Sequence, residues 1–171
     1  MSQEKPIFRL ARQIDAAKKA ERFLVDDSEV VTLRREGASS LHRICAEFVA
    51  TLNSGLANAT VELSPLTYGQ ELFRESGANL FQISSQGRQM QIVFEVPPQL
   101  VSTEKFGIPY ILEGEVRTFN QRMLERFEIR SRLIFFCVEN ETGAWRFFDW
   151  RTRHTGPVDS ELLVSLMEPL F

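Results

Sequence analysis

Between positions 146 and 154 the chain places Arg146, Asp149, Arg151, Arg153 and His154. Arginine offers a planar fork of donors that matches carboxylate or phosphate oxygens, and histidine can release a proton near neutral pH. This marks Arg146, Arg151, Arg153 and His154 as candidate ligand-binding residues for an anionic group, with His154 as a proton donor. A charged strand end is the plain structural alternative. The stretch has no partner nucleophile and no glycine-rich phosphate loop, and the chain carries no Gly-x-Ser-x-Gly elbow, Walker loop or dinucleotide fingerprint. No catalytic residue is therefore assigned, and no cofactor is expected.

A second set of charges lies in two alternating runs, Tyr110 to Thr118 and Phe127 to Val138. Folding them about Arg122 and Met123 pairs Arg117 with Glu128, Glu115 with Arg130 and Glu113 with Arg132 on one face. The other face then pairs Val116 with Ile129, Gly114 with Ser131, Leu112 with Leu133 and Tyr110 with Phe135. A slip of one residue sets charges against apolar groups, so this register is the expected one. The Glu/Arg face reads either as a polar binding surface or as a solvated face, where each pair contributes about 0.2–1 kcal/mol.

His42, His154, Cys45 and Cys137 have no metal-ligand spacing, so no metal is expected. Both cysteines sit in apolar segments and read as small buried hydrophobes in a reducing compartment.

The net charge is −3, which argues against a general nucleic-acid binder, since that needs a basic face. Of the basic residues only Lys5, Lys18, Lys19 and Lys105 are lysine, and the rest are arginine. No stretch approaches the roughly 20 apolar residues of a membrane span, and the first residues lack the apolar centre of a signal peptide. The expectation is a cytoplasmic protein with no membrane partner. The 171 residues suit one α+β domain over 1–171, and the 14 phenylalanines suit an aromatic core.

The elements that must hold these groups follow from hydrophobic period. Residues 7–36 read as helical, with Ile14, Ala17, Phe23 and Leu24 near helical spacing, Asp26 as an internal N-cap and Gly37 as a breaker. From Ser39 or Ser40 a second run carries Leu41, Ile44, Cys45, Phe48, Val49 and Leu52 on one stripe, closed at Gly55 by a left-handed turn. Thr60 to Leu63 reads as a short strand. Ser64-Pro65 reads as the start of a short helix that runs to Ser76 with Leu72 and Phe73 on its apolar side, and Gly77 closes it. A hairpin turning at Gln86-Gly87 pairs Ile83 with Met90 and Phe81 with Ile92. Residues 99–108 read as loop. After the long hairpin, residues 139–143 turn the chain into a strand from Trp145 to Arg151. Gly156-Pro157 breaks it, and Asp159 or Ser160 caps a final helix.

The sum is an α+β fold: an antiparallel sheet of five or six strands packed by N-terminal helices and a C-terminal helix. This order of elements resembles the cone-shaped folds related to nuclear transport factor 2. The resemblance implies a concave pocket, lined here by Tyr110, Leu112, Phe135 and Trp145, and with it a small-molecule binder or small pocket enzyme using His154 and a carboxylate. The leading expectation is a non-catalytic binding or interaction module, with a homodimer as candidate assembly.

Overall fold

The computed structural model describes residues 5–23, 27–139 and 142–171, with backbone alone for 19–23. Two helices, α1 (Pro6–Phe23) and α2 (Asp27–Gly55), precede seven strands: β1 (Glu62–Ser64), β2 (Asn79–Ser85), β3 (Arg88–Glu95), β4 (Tyr110–Phe119), β5 (Arg130–Glu139), β6 (Thr142–Asp149) and β7 (His154–Pro157). A short helix α3 (Gln121–Glu125) lies between β4 and β5, and α4 (Ser160–Met167) follows the sheet. The strands form one antiparallel sheet in chain order. The α+β class is as expected. The sheet has one strand more than expected, because His154–Pro157 pairs with Arg146–Asp149 as an edge strand ended by its proline.

The long helix is continuous through Gly37. Val30, Arg34, Ala38, Leu41, Cys45, Phe48 and Val49 form one buried stripe on either side of that glycine. Glycine is there for close approach: the Trp145 indole Nε1 donates to the Gly37 carbonyl at 2.7 Å, and a Cβ on Gly37 would stand 2.7 Å from the Phe136 ring. Neither Ser39 nor Ser40 is therefore a cap. The helix does end at Gly55, without a left-handed residue there. Asp26, Leu24 and the Phe23 side chain lie outside the described residues, as do Asn140 and Glu141; Glu139 pairs with Thr142.

Other elements fall between agreement and correction. Ile83 pairs with Met90 and Phe81 with Ile92, with Gln86 and Gly87 at positive φ (52° and 75°) as a tight two-residue turn requires. Asp159 caps α4, accepting from the Leu162 N–H at 3.0 Å. The helix expected after Ser64-Pro65, whose peptide bond is cis, shrinks to a 3₁₀ turn at Gln70–Leu72 with Phe73 buried and Leu72 exposed.

The long hairpin forms, but in another register. Thr118 stands opposite Arg130, Val116 opposite Arg132, Glu115 opposite Leu133 and Glu113 opposite Phe135. The apex moves to Leu124, and the slip of three residues, being odd, exchanges the faces of one strand relative to the other. None of the three expected charge pairs forms. Glu115 pairs with Arg117 of its own strand, Glu113 with Lys105 and Arg132 with Asp149.

Magnitudes explain the choice. β5 is buried on both faces: Ile134, Phe136 and Val138 enter the main core with α2 and α4, while Phe135 and Cys137 join Tyr110 in a second cluster on the opposite face. The loop 96–109 covers that cluster, with Phe106 stacked on Phe135 at 5.0 Å and the Tyr110 hydroxyl accepting the Lys105 N–H at 3.0 Å. Fully burying an aromatic is worth about 1.5–3 kcal/mol, so two or three of them outweigh three exposed pairs. A bulge at Ile111 lets Tyr110 face the second cluster while Ile111 and Leu112 face the first.

Cys45 and Cys137 are both free thiols and lie on opposite sides of the sheet. Burial pushes each up to about 12. Since an unfolded thiol ionises near pH 8.5, this part of the stability is complete below that pH and is lost as pH rises towards 12. Urea midpoints are expected to fall progressively above pH ~9, by up to about 1.4 kcal/mol per pH unit for each thiol. The double variant Cys45→Ala/Cys137→Ala should start lower and decline less steeply; an equal slope would show that other groups govern the alkaline limb.

Candidate functional site

Because the strands meander in chain order, alternate turns share one end of the sheet. The β2–β3 turn, the β4–β5 connection and the β6–β7 turn lie together there, bringing Arg88, Arg122, Arg126, Arg130, Arg151 and Arg153 to one rim. Glu125 and Glu128 stand among them. Asp149 is already engaged: it pairs with Arg132 across β5 and β6 and accepts the Arg151 backbone N–H at 3.0 Å. Partial desolvation raises its carboxyl, but the hydrogen bonds from Arg151 and Arg132 outweigh this and hold it below the ordinary carboxylate range.

The β4–β5 connection is the most unusual local structure at this end. Asn120 caps α3, its side chain accepting from Met123 N–H at 2.9 Å. The helix closes with Glu128 N–H donating to Met123 O at 2.7 Å and Phe127 N–H to Leu124 O at 3.1 Å. That is a Schellman arrangement, whose left-handed position glycine normally fills. Here Phe127 fills it, at φ 57° and 95% exposed. A bulky residue in this region costs about 1–2 kcal/mol, and an exposed ring recovers nothing from packing. Trp150, 65% exposed with the Arg151 guanidinium 5.3 Å from its ring centre, and Phe171, 66% exposed under Arg88 at 4.5 Å, are two more aromatics at the same rim. A cavity of about 200 Å³ opens there, lined by Asn120, Arg122, Met123, Arg126, Glu128, Arg130 and Pro169.

The four sequence candidates divide. Arg151 and Arg153 lie in the β6–β7 turn at this rim, Arg153 at φ 59°, and His154 begins β7. Arg146 lies further down β6, opposite Phe135 and Pro157, on the face away from α2. His154 pairs with Asp149 and shares the other face, so Arg146 and His154 do not meet. The His154 ring is exposed, 5.4 Å from Phe147, and among the described residues no carboxylate hydrogen-bonds to it. The proton-transfer pair that a small pocket enzyme needs, histidine within about 3 Å of a carboxylate, is not formed there. Nor do the four expected pocket residues line one cavity: Leu112 and Trp145 belong to the main core, Tyr110 and Phe135 to the second cluster. His42 is a core residue, its Nε2 2.8 Å from the Pro65 carbonyl and its ring stacked on Tyr68. Among the described residues no cluster of three metal-ligating side chains occurs, and no helix is long and apolar enough to cross a membrane.

Arg122, Arg126 and Phe127 were read only as parts of a loop and a strand, and Arg130 only as the partner of Glu115 on the charged face of the hairpin. The available signal was the spacing of arginine every four residues through a polar turn, with one aromatic inside it.

Compared with protein-family models, curated proteins and solved structures, the chain matches none.

Proposed function

We propose that this chain is a non-catalytic interaction module that binds an acidic protein segment on the arginine- and aromatic-bearing rim of its sheet. The observation that carries this reading is Phe127: a strained, almost fully exposed aromatic in a glycine position, between Arg126 and Glu128. Local strain that serves no packing is a mark of a surface kept for a partner. Arginine and aromatic side chains are the residues that dominate binding energy when a partner covers them, and arginine's fork pairs carboxylates two oxygens at a time. The net charge of −3 leaves the rest of the molecule repelling a long polyanion, which favours a short acidic peptide stretch over nucleic acid.

Tryptophan emission tests this. Trp145 is buried, so a surface event reads out through Trp150, and Trp150→Phe identifies the reporter. A synthetic oligo-glutamate peptide carrying one phenylalanine should change Trp150 emission saturably and in a salt-dependent way. Arg126→Glu/Arg130→Glu should abolish the change. No response, or an undiminished response in the charge-reversed variant, defeats the proposal; a single-stranded oligonucleotide that binds equally well defeats the choice of partner. Phe127→Gly should raise stability by about 0.5–1 kcal/mol through relief of the left-handed residue, while weakening the peptide at least several-fold. Gain in both or loss in both would contradict the role given to this ring.

A further inference from the structure

We infer, resting on the reading of this rim as a surface for an acidic segment, that its cavity seats a phosphorylated side chain of that segment between Arg122, Arg126 and Arg130. At about 200 Å³ the cavity falls short of the roughly 300–1,000 Å³ of a site for a whole small molecule or cofactor. It is sized for one functional group of a larger ligand.

The charges that line it are not answered from within. Arg126 N–H donates to the Arg122 carbonyl at 3.2 Å, so these two arginines lie one helical turn apart on the same side, where like charges repel. Arg130 reaches the same cavity from the start of β5. Among the described residues none of the three makes an ion pair. Asn120 accepts the Met123 N–H through Oδ1, which leaves its amide nitrogen to donate. Thr118 stands opposite Arg130 on the same face and Arg132 lies two residues along it. The buried Thr118 hydroxyl and Arg132 Nε have no hydrogen-bond partner. Donors gather here, and Glu128 is the one carboxylate among the lining residues.

Three guanidinium groups less the Glu128 carboxylate leave two positive charges in excess around the cavity. A carboxylate brings one negative charge and two oxygens, and one or two arginine forks saturate it. A phosphomonoester brings about −1.5 to −2 charge at pH 7 and three oxygens, which three forks satisfy together. The same count disfavours a polynucleotide, whose phosphodiesters each carry a single charge. Phe127, directly after Arg126 and exposed, is left to contact the residues beside the phosphorylated one. Engagement of the partner is then switched by its phosphorylation.

Three acidic peptides that differ only in a central serine, glutamate or phosphoserine can be titrated into the full chain by calorimetry. The phosphoserine peptide is expected to bind about tenfold more tightly than the glutamate peptide, and the serine peptide more weakly than either. Arg122→Gln should bring phosphoserine and glutamate within about twofold of each other, and Glu128→Gln should widen their separation. Both positions are exposed, so circular dichroism should be unchanged in each variant. Equal binding of the phosphoserine and glutamate peptides would overturn the phosphoryl seat and leave the acidic-segment reading standing, whereas failure of all three peptides would overturn both. A preference undiminished by Arg122→Gln would place the phosphoryl group elsewhere. Phosphatidylcholine vesicles containing phosphatidic acid, if bound more tightly than the phosphoserine peptide, would assign the group to a lipid and overturn the choice of partner.

Discussion

Arg34→Met is expected to destabilise the fold by about 3–4 kcal/mol, a large fraction of the stability of a domain this size. The Arg34 guanidinium is buried and donates Nε to the Ile111 carbonyl and Nη2 to the Leu100 carbonyl, both at 3.0 Å. Ile111 is the bulged residue of β4, so its carbonyl falls outside the regular ladder and Arg34 takes the place of a strand partner. Leu100 belongs to the loop that covers the second cluster. One side chain of α2 thus holds both the bulge and the cover. Burial disfavours the charge on Arg34, and the attraction of Glu75 and Asp27 opposes this. Methionine keeps the apolar stem but abandons two carbonyls, at about 1–3 kcal/mol each. The Glu75 pair, at 3.6 Å with Glu75 partly exposed, adds little. Arg34→Lys should recover less than half, because one ammonium group does not reproduce the fork. Urea denaturation measures the loss, and hydrogen exchange at the Ser102 and Tyr110 amides should accelerate as the cover loosens. A loss below about 1 kcal/mol would mean that water replaces the guanidinium and that Arg34 does not hold the bulge.

Gly37→Ala should also destabilise, against the ordinary preference. In an exposed helix interior this change stabilises by about 1 kcal/mol. Here the added methyl meets the Phe136 ring, and the ring has no retreat, because a Cβ at Gly143 would meet its far edge as well. Phe136 is wedged between two glycines. Overpacking of this kind costs about 1–3 kcal/mol, and a shift of α2 would also stretch the Trp145–Gly37 hydrogen bond. The net expectation is a loss of about 1–2 kcal/mol with a change in Trp145 fluorescence. Gly107→Ala, where no atom lies within 4 Å of the new methyl, should stay within about 0.5 kcal/mol and serves as the control. A stabilising Gly37→Ala would show that α2 and β5 are further apart than described.

These two residues also show where the sequence could be read and where it could not. The stripe from Leu41 to Val49, the Gln86-Gly87 hairpin and the Asp159 cap were legible because period, turn chemistry and capping agree there. Gly37 and Arg34 were not: a glycine that allows close packing and an arginine that serves a bulge both look, in one dimension, like a helix break and a polar face. The long hairpin misled for a different reason. Opposite charges in alternating runs suggest a register, but alternation cannot choose between faces when β5 is apolar on both, and the loop that covers the second face carries its own aromatic, Phe106. At the rim, Arg151, Arg153 and His154 were visible as a cluster near one another in sequence. Arg122, Arg126 and Arg130 join them only through the order of the strands, which alternate polarity does not reveal.

The pairing of β4 with β5 decides which residues occupy each face and how far the Phe127 turn projects, so it is the claim to test first. Two double-cysteine variants, Glu115→Cys/Leu133→Cys and Glu115→Cys/Arg130→Cys, can be exposed to mild oxidant, with Cys45 and Cys137 buried and inert. Directly opposed strand neighbours lie within disulfide reach, while partners three positions out of register on opposite faces do not. The first variant should cross-link nearly completely and the second not at all. Cross-linking through position 130 with none through 133 would restore the charge-paired register and contradict the two-faced burial of β5.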